Sequence, residues 1–402
     1  MRLREKVFCR IVQMGFRAAL PVLPYREPEI LQEVKMIPRL LKKKKIGRVL
    51  LITDTGVRGL GLTARLERGL QEAGIHCAVY DKVVANPTII NIEEARKLYL
   101  KSGAQGIIAF GGGSVMDCAK VTGARVVKPR QPVYKMKGLL KIWRRLPLLI
   151  AVPTTAGTGS EATLAAVITD AGTKHKYPIN DFNLIPHYAV LDYHVTLGLP
   201  GHITATTGMD ALTHAVEAYI GKSTNAFTRK MAEDAVRLIY QNLKKVYDDG
   251  QDREARSNML EAAYCAGLAF SRSYVGYVHA VAHSLGGQYG VPHGLANAVL
   301  LPYFLEEYGN ACQRKLAKLA RFAGMVPKHT SDYRAAAYFI KWIKDMNAYM
   351  GIPDKIKEIR LADIPIMSQH AAAEGNPLYP VPVLMDQVEL AEMYERVMER
   401  SE

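Results

Sequence analysis

Cysteine is scarce and scattered in this 402-residue chain, with Cys9, Cys77, Cys118, Cys265 and Cys312 as its only thiols. The number is odd and no Cys-x-x-Cys pair occurs. Neither a disulfide framework nor a thiolate zinc or redox centre is therefore expected, and a reducing, cytoplasmic interior is. No stretch reaches the roughly 18 uninterrupted apolar residues of a membrane-spanning helix, so no membrane span is expected. Internal repeats and low-complexity segments are absent. Without an aromatic-studded basic stripe or a helix-turn-helix signature, no nucleic-acid partner is expected either.

Apolar material, by contrast, is plentiful: 49% of residues are hydrophobic, enough for two domains. The net charge of +15 is uneven, because residues 1–50 hold 13 Lys/Arg against 4 Asp/Glu. The rest of the chain is only mildly basic, which calls for no polyanionic partner. The opening MRLREKVFCR and the apolar residues after it resemble a signal peptide, but Arg17 interrupts the apolar stretch, Glu5 sits among the cations and no small-residue cleavage site follows. An amphipathic basic helix fits better. It reads first as a solvated surface element and second as a membrane or partner contact.

From residue 48 the chain alternates apolar RVLLITD, helical GLTARLERGLQEAG, apolar HCAVYD, helical EEARKLYLKSG and apolar GIIAFGGG, a strand-helix-strand rhythm. PLLIAVP, AAVITD and YAVLDY read as further strands of the same sheet. After Pro200 and Gly201 apolar residues recur at spacings of three and four, as in ALTHAVEAYI and EAAYCAGLAF. The expected organisation is an α/β dinucleotide-binding domain over 1–200, with 1–47 an atypical basic extension, and an all-helical domain over 201–402.

Gly111, Gly112 and Gly113 followed by Ser114 and Asp117 place glycines between a strand and a helix start. There the backbone can approach a pyrophosphate and free N–H groups face it. Ser114 and Asp117 also have the spacing of a capping box. Asp54, closing the first strand, can accept from ribose hydroxyls and repel a 2′-phosphate, favouring NAD over NADP, or can simply form an Asx turn. PTTAGTGSEAT at 153–163 reads as a nucleotide or substrate loop, or as a tight turn.

The strongest signal lies in the helical half, in GMDALTHAVEAY and YVHAVAHSLGGQYGVPHGLANAVLLP. Asp210 and His214 are four apart and share a helix face, as do His279 and His283; His293 follows. Four or five N/O donors from three segments can enclose one divalent ion, and without sulfur in the set Fe²⁺ or Zn²⁺ is favoured. Singly, Asp210 three after Thr207 reads as a capping-box acid, and a lone histidine as a satisfied core residue. Five such groups in apolar helices are costly to bury for packing alone.

Together GGGSVMDCAK, PTTAGTGSEAT and these two helical blocks resemble the signature blocks of the iron-containing (group III) alcohol dehydrogenases, from about residue 48 to near the C-terminus. The resemblance implies the fold shared with dehydroquinate synthase, an α/β dinucleotide-binding domain followed by an all-α one. It implies Asp210, His214, His279 and His293 as ligands of Fe²⁺ or Zn²⁺, and His283 as a proton-relay or substrate-contacting residue near the nicotinamide. It further implies Asp54, Asn86, Gly112, Gly113, Ser114, Asp117, Thr154, Thr155, Thr158 and Lys176 as cofactor-contacting positions. Family members usually begin with a short hairpin and a Phe-Gly-x-Gly stretch, which LPYREPEILQEVKMIPRLLKKKK lacks.

The activity implied is hydride transfer between NAD(H) and a small or medium primary alcohol, aldehyde or diol, by a homo-oligomer, dimer or higher. Phe270 and Tyr274 are candidates for the substrate pocket. Two other readings stand: a fold-sharing polyol or glycerol-type dehydrogenase, which usually has three protein ligands, and a non-enzymatic nucleotide-binding protein whose basic N-terminus contacts nucleic acid or anionic lipid.

Overall fold

In the computed structural model, which describes residues 1–170, 172 and 175–399, the chain separates into two compact units, Pro24–Gly198 and Met1–Leu23 together with Leu199–Glu402. The division departs from the expected 1–200 domain at its start. Helix α1 (Leu3–Ala19) groups with the helical half, because its partners lie near the other end of the chain.

The Pro24–Gly198 unit contains, in order, β1 (Glu29–Leu31), α2 (Ile37–Lys43), β2 (Arg48–Ile52), α3 (Thr55–Gly59), α4 (Ala64–Glu72), β3 (His76–Tyr80) and α5 (Ile89–Ser102). There follow β4 (Gly106–Gly111), α6 (Gly113–Val127), β5 (Gly138–Leu139), β6 (Leu148–Pro153), β7 (Ala165–Asp170), β8 (His175–Asn180) and β9 (Tyr188–Val190). Six strands form a parallel sheet in the order β1-β9-β6-β4-β2-β3. Alternate residues of each strand serve opposite layers. Leu50, Ile52, Ile107 and Leu149 pack into a core with residues of α5 and α6, whereas Val49, Leu51, Ile108 and Ile150 pack into one with residues of α2 and α4. The result is a three-layer sandwich, as βα alternation demands.

AAVITD corrects one expectation. It is β7, which pairs antiparallel with β8 in a separate three-stranded sheet, β5-β8-β7. Its alternation of buried and partly exposed residues differs from the almost wholly buried runs of β4 and β6, which is the physical difference between a side sheet and a doubly covered strand.

The chain passes from β2 outward to β3, then back across β2 to β4. The order thus reverses between β2 and β4, and such a switch point opens a crevice at the carboxyl ends of the two strands.

The helical unit contains α7 (Gly201–Ile220), α8 (Ala226–Asp248), α9 (Arg253–Ser273), α10 (Tyr277–Tyr289), α11 (His293–Tyr308), α12 (Asn310–Phe322), α13 (Asp332–Tyr349), α14 (Ile364–Gly375) and α15 (Gln387–Val397). Helix α7 is buried on every side from Gly208 to Ile220, so its polar residues must find partners inside the unit. Among the described residues no helix is long and apolar enough to cross a membrane.

Candidate metal centre and phosphate loop

Three buried helices bring the predicted donors together. Asp210 and His214 lie in α7, His279 in α10, and His293 begins α11; one donor atom from each lies within 4.8 Å of the others. Asp210 sits mid-helix, and the Thr207 hydroxyl donates to Ile203 O at 2.7 Å, so the capping-box alternative for Asp210 is not what forms. Gly294 permits the approach of α11 to α7, because a Cβ there would stand 2.5 Å from Thr206 O. His214 stacks on Phe270 with ring centroids 4.2 Å apart.

Behind these donors stand residues that the motif reading did not single out. Glu217 Oε2 lies 2.6 Å from His279 Nδ1, and the same carboxylate accepts from the backbone N–H groups of Gly276 and Val278. Burial pushes the Glu217 carboxyl up to about 8, against the pull of those N–H groups. With the proton on Nδ1, His279 presents its Nε2 lone pair to the cluster. Asn297 Nδ2 donates to Asp210 Oδ1 at 2.7 Å and lies 3.2 Å from Nε2 of both His279 and His293. Sequence spacing carried a signal for both. Glu217 falls three after His214 and seven after Asp210, and Asn297 four after His293, each on its ligand's helix face.

The cluster fits a divalent cation. Donors around a tetrahedral ion stand roughly 3–3.5 Å apart, so small adjustments of these side chains suffice. A carboxylate and two imidazoles that are each under 5% exposed, with a second carboxylate behind one ring, are also costly to bury without a cation to compensate them.

His283, one turn after His279, stands outside the four-donor group. Its ring stacks on His293 at 5.2 Å, and its Nδ1 lies 2.7 Å from Glu374 Oε1. The Tyr379 hydroxyl donates to the same oxygen at 2.7 Å. Burial alone would raise the Glu374 carboxyl, but His283 and that hydroxyl hold it below its ordinary value. No sequence motif marked Glu374. Tyr274 packs against Phe16 and Tyr379, with ring centroids 4.8 and 6.1 Å away.

In the other unit the cofactor candidates collect at the carboxyl edge of the parallel sheet. Asp54 follows β2, Asn86 follows β3, Gly112, Gly113 and Ser114 follow β4, and Thr154, Thr155 and Thr158 follow β6. Gly112 is the N-cap of α6, so the Ser114–Asp117 capping box does not form. Asp54 Oδ1 caps α3 by accepting from Val57 N at 2.8 Å. The two loops interlock: a Cβ on Gly113 would come within 2.7 Å of Thr158 Cγ2, and Thr154 N donates to Gly111 O at 3.1 Å.

Asp117, among the carried-over cofactor positions, already has partners within the unit. Its oxygens accept from Ser160 Oγ at 2.9 Å and Val167 N at 2.9 Å, so it braces the loop from within. The wholly buried Lys120 completes the brace, donating to Ser160 Oγ, Thr163 O and Ala165 O. Lys176 lies in β8, close enough for its charge to act on Asp117.

Two family models cover most of the chain: iron-containing alcohol dehydrogenase over residues 30–193, and the C-terminal part of the Fe-containing alcohol dehydrogenase family over 204–398. The chain belongs to the iron-containing alcohol dehydrogenases. It is 38% identical to the 1,3-propanediol dehydrogenase of Citrobacter freundii, over 94% of this chain and 98% of that one. A crystal structure of 1,3-propanediol oxidoreductase superposes with a TM-score of 0.88 at 34% identity, covering 93% of this chain and 99% of that one. The NAD⁺ complex of sulfoacetaldehyde reductase from Bifidobacterium kashiwanohense matches with a TM-score of 0.81 at 26% identity, over 93% and 98% of the two chains. The fold of this dehydrogenase, an α/β parallel-sheet unit with a helical one, is the one the sequence led us to expect.

Proposed function

We propose that this dehydrogenase transfers hydride reversibly between NAD(H) and a small or medium primary alcohol or diol. The observation that carries the reading is the convergence of Asp210, His214, His279 and His293, with Glu217 behind His279. These four residues would hold Fe²⁺ or Zn²⁺, both of which accept imidazole and carboxylate. When bound, the ion supplies Lewis-acid polarisation of the alcohol or aldehyde oxygen.

The remaining work falls to the chain. N–H groups at the start of α6, with no side chain on Gly112 or Gly113 in the way, suit the pyrophosphate of the cofactor. Asp54 offers its carboxylate to ribose hydroxyls and disfavours a 2′-phosphate, which supports NAD over NADP. Asn86, Ser114, Thr154, Thr155, Thr158 and Lys176 would line the same site, while Asp117 holds the loop in shape. His283, its Nδ1 engaged by Glu374, exchanges the substrate proton at Nε2, directly or through water. The 1,3-propanediol dehydrogenase likeness supports diols among the substrates. Five free cysteines support a reducing, cytoplasmic setting, and a homo-oligomer is part of the same reading.

The test is NADH formation by metal-stripped protein on a panel of primary alcohols and diols, before and after anaerobic addition of Fe²⁺ or Zn²⁺. Turnover restored by one ion is expected. Turnover with glycerol or phosphorylated polyols alone would replace this reading with the polyol-type one, and metal binding without any turnover would overturn it.

A further inference from the structure

Helix α1 presents apolar side chains to solvent as well as to the protein. The side facing the protein combines apolar contacts, from buried Cys9 and from Phe16 against Tyr274, with polar ones: Gln13 Nε2 donates to Pro377 O and Tyr379 O at 3.0 and 2.8 Å, and the Arg10 guanidinium donates to Val381 O and Pro382 O at 2.8 and 3.0 Å. The side facing solvent is apolar. Leu3, Val7, Ile11 and Met14 recur at four, four and three residues and so share one stripe, flanked by Phe8. Leu3, Phe8, Ile11 and Met14 are 78%, 59%, 56% and 62% exposed. An amphipathic helix ordinarily turns such a stripe inward, and a contiguous exposed one marks a contact surface. Helix α1 also precedes both family-matched spans.

Charge selects the occupant. Arg2 and Arg4 are exposed at the head of the helix, where Glu5 pairs with Arg2 and the Asp386 and Glu389 carboxylates hold the Met1 amine, and Arg17 is exposed at its tail, so the uncompensated charge lies at the tail. Arg17 donates to Lys222 O, and Lys315 donates to the neighbouring carbonyls of Ile220 and Gly221. Burial foremost, and then the charges of Arg229, Lys222 and Arg17, push Lys315 down to about 8. A two-fold contact with a second copy would set this cationic patch against its own image. Nucleic acid would meet the cations but leave the aliphatic stripe without a partner. A bilayer surface rich in anionic headgroups satisfies both features, taking the stripe into its acyl boundary and the cations among its phosphates.

We propose that α1 docks this protein peripherally on anionic lipid surfaces, with Leu3, Val7, Phe8, Ile11 and Met14 as the inserting face. The full-length protein is sedimented with vesicles of equal phosphatidylglycerol and phosphatidylcholine, and with phosphatidylcholine alone. Binding to the anionic vesicles is expected, weakened by salt and by omission of the anionic lipid. An Ile11→Glu/Met14→Glu variant, changed only at exposed positions, is expected to keep the dehydrogenase activity of the unmodified protein and to lose roughly tenfold or more in vesicle partitioning. A Phe8→Trp variant should show a blue-shifted emission on binding.

A Lys42→Glu/Arg68→Glu variant controls for diffuse electrostatics, because those residues line a separate basic groove beside α2 and α4. The proposal is overturned if the protein ignores anionic vesicles, or if Ile11→Glu/Met14→Glu binds as well as the unmodified chain. It is overturned equally if light scattering shows that this variant halves the solution mass, since the stripe would then be covered by a second copy.

Discussion

Gly276 occupies a point where no side chain fits: a Cβ would stand 2.5 Å from Glu217 Oε1, the carboxylate that fixes His279. The glycine lets its own N–H reach Glu217 Oε2 at 2.9 Å, so one small residue and one buried acid together set the orientation of a ring in the candidate metal cluster. Glu217→Gln keeps the shape but weakens the acceptor. Metal retained after dialysis is expected to fall roughly 10- to 100-fold in affinity, read by metal analysis rather than turnover. His283→Ala is expected to leave metal content unchanged while lowering kcat and altering its pH profile; an identical profile would remove His283 from proton transfer. The donors themselves were legible because helix periodicity converts spacing into shared faces. Glu217 and Asn297 obeyed the same rule but belong to no ligand pattern. Glu374 reaches His283 from 91 positions away, a contact that no local pattern encodes.

The glycine turn after β4 works only because the segment after β6 is pressed against it. Gly113→Ala would drive a methyl into Thr158, and the expected result is a KM for NAD raised about tenfold or more with metal content intact, measured by initial rates. Asp117 has a role that its motif position did not announce: its oxygens accept from the Ser160 hydroxyl and the Val167 N–H, which ties the loop to β7. The side sheet escaped the sequence reading for a related reason, since alternation identifies a strand but not the sheet it joins.

At the end of the β6–β9 ladder, His187 Nδ1 accepts from Leu149 N at 3.1 Å. Burial, then Arg26, Lys44 and Arg145, push this imidazole down to about 4. The folded state therefore favours the neutral ring. The stability that this provides is complete above the unfolded value near 6.5 and is lost as pH falls from there toward 4. His187→Asn is expected to flatten that acid limb of the unfolding midpoint against pH.

Across the whole molecule the metal and cofactor candidates fall in different units, so removing each ligand is expected to have a local signature. Chelation should speed amide hydrogen exchange in the α7, α10 and α11 peptides and lower the unfolding temperature of their unit by roughly 5–10 °C, with the parallel sheet unaffected. Equal acceleration in both units would contradict this independence. The α/β and helical halves were legible from the change of periodicity along the chain, but the grouping of the first 23 residues was not. Composition marked them as basic and amphipathic; which surface they seek depends on carbonyls more than 350 positions later in the chain.

That distance also has a meaning in time. On the ribosome α1 is made long before its seat, from Pro377 to Pro382, an interval on the order of tens of seconds at ordinary elongation rates. The Pro24–Gly198 unit is complete long before then, whereas the helical unit cannot close until that late segment has been made. Throughout that wait both sides of α1 are open, and its first neighbours are those of the nascent chain rather than those of the finished protein.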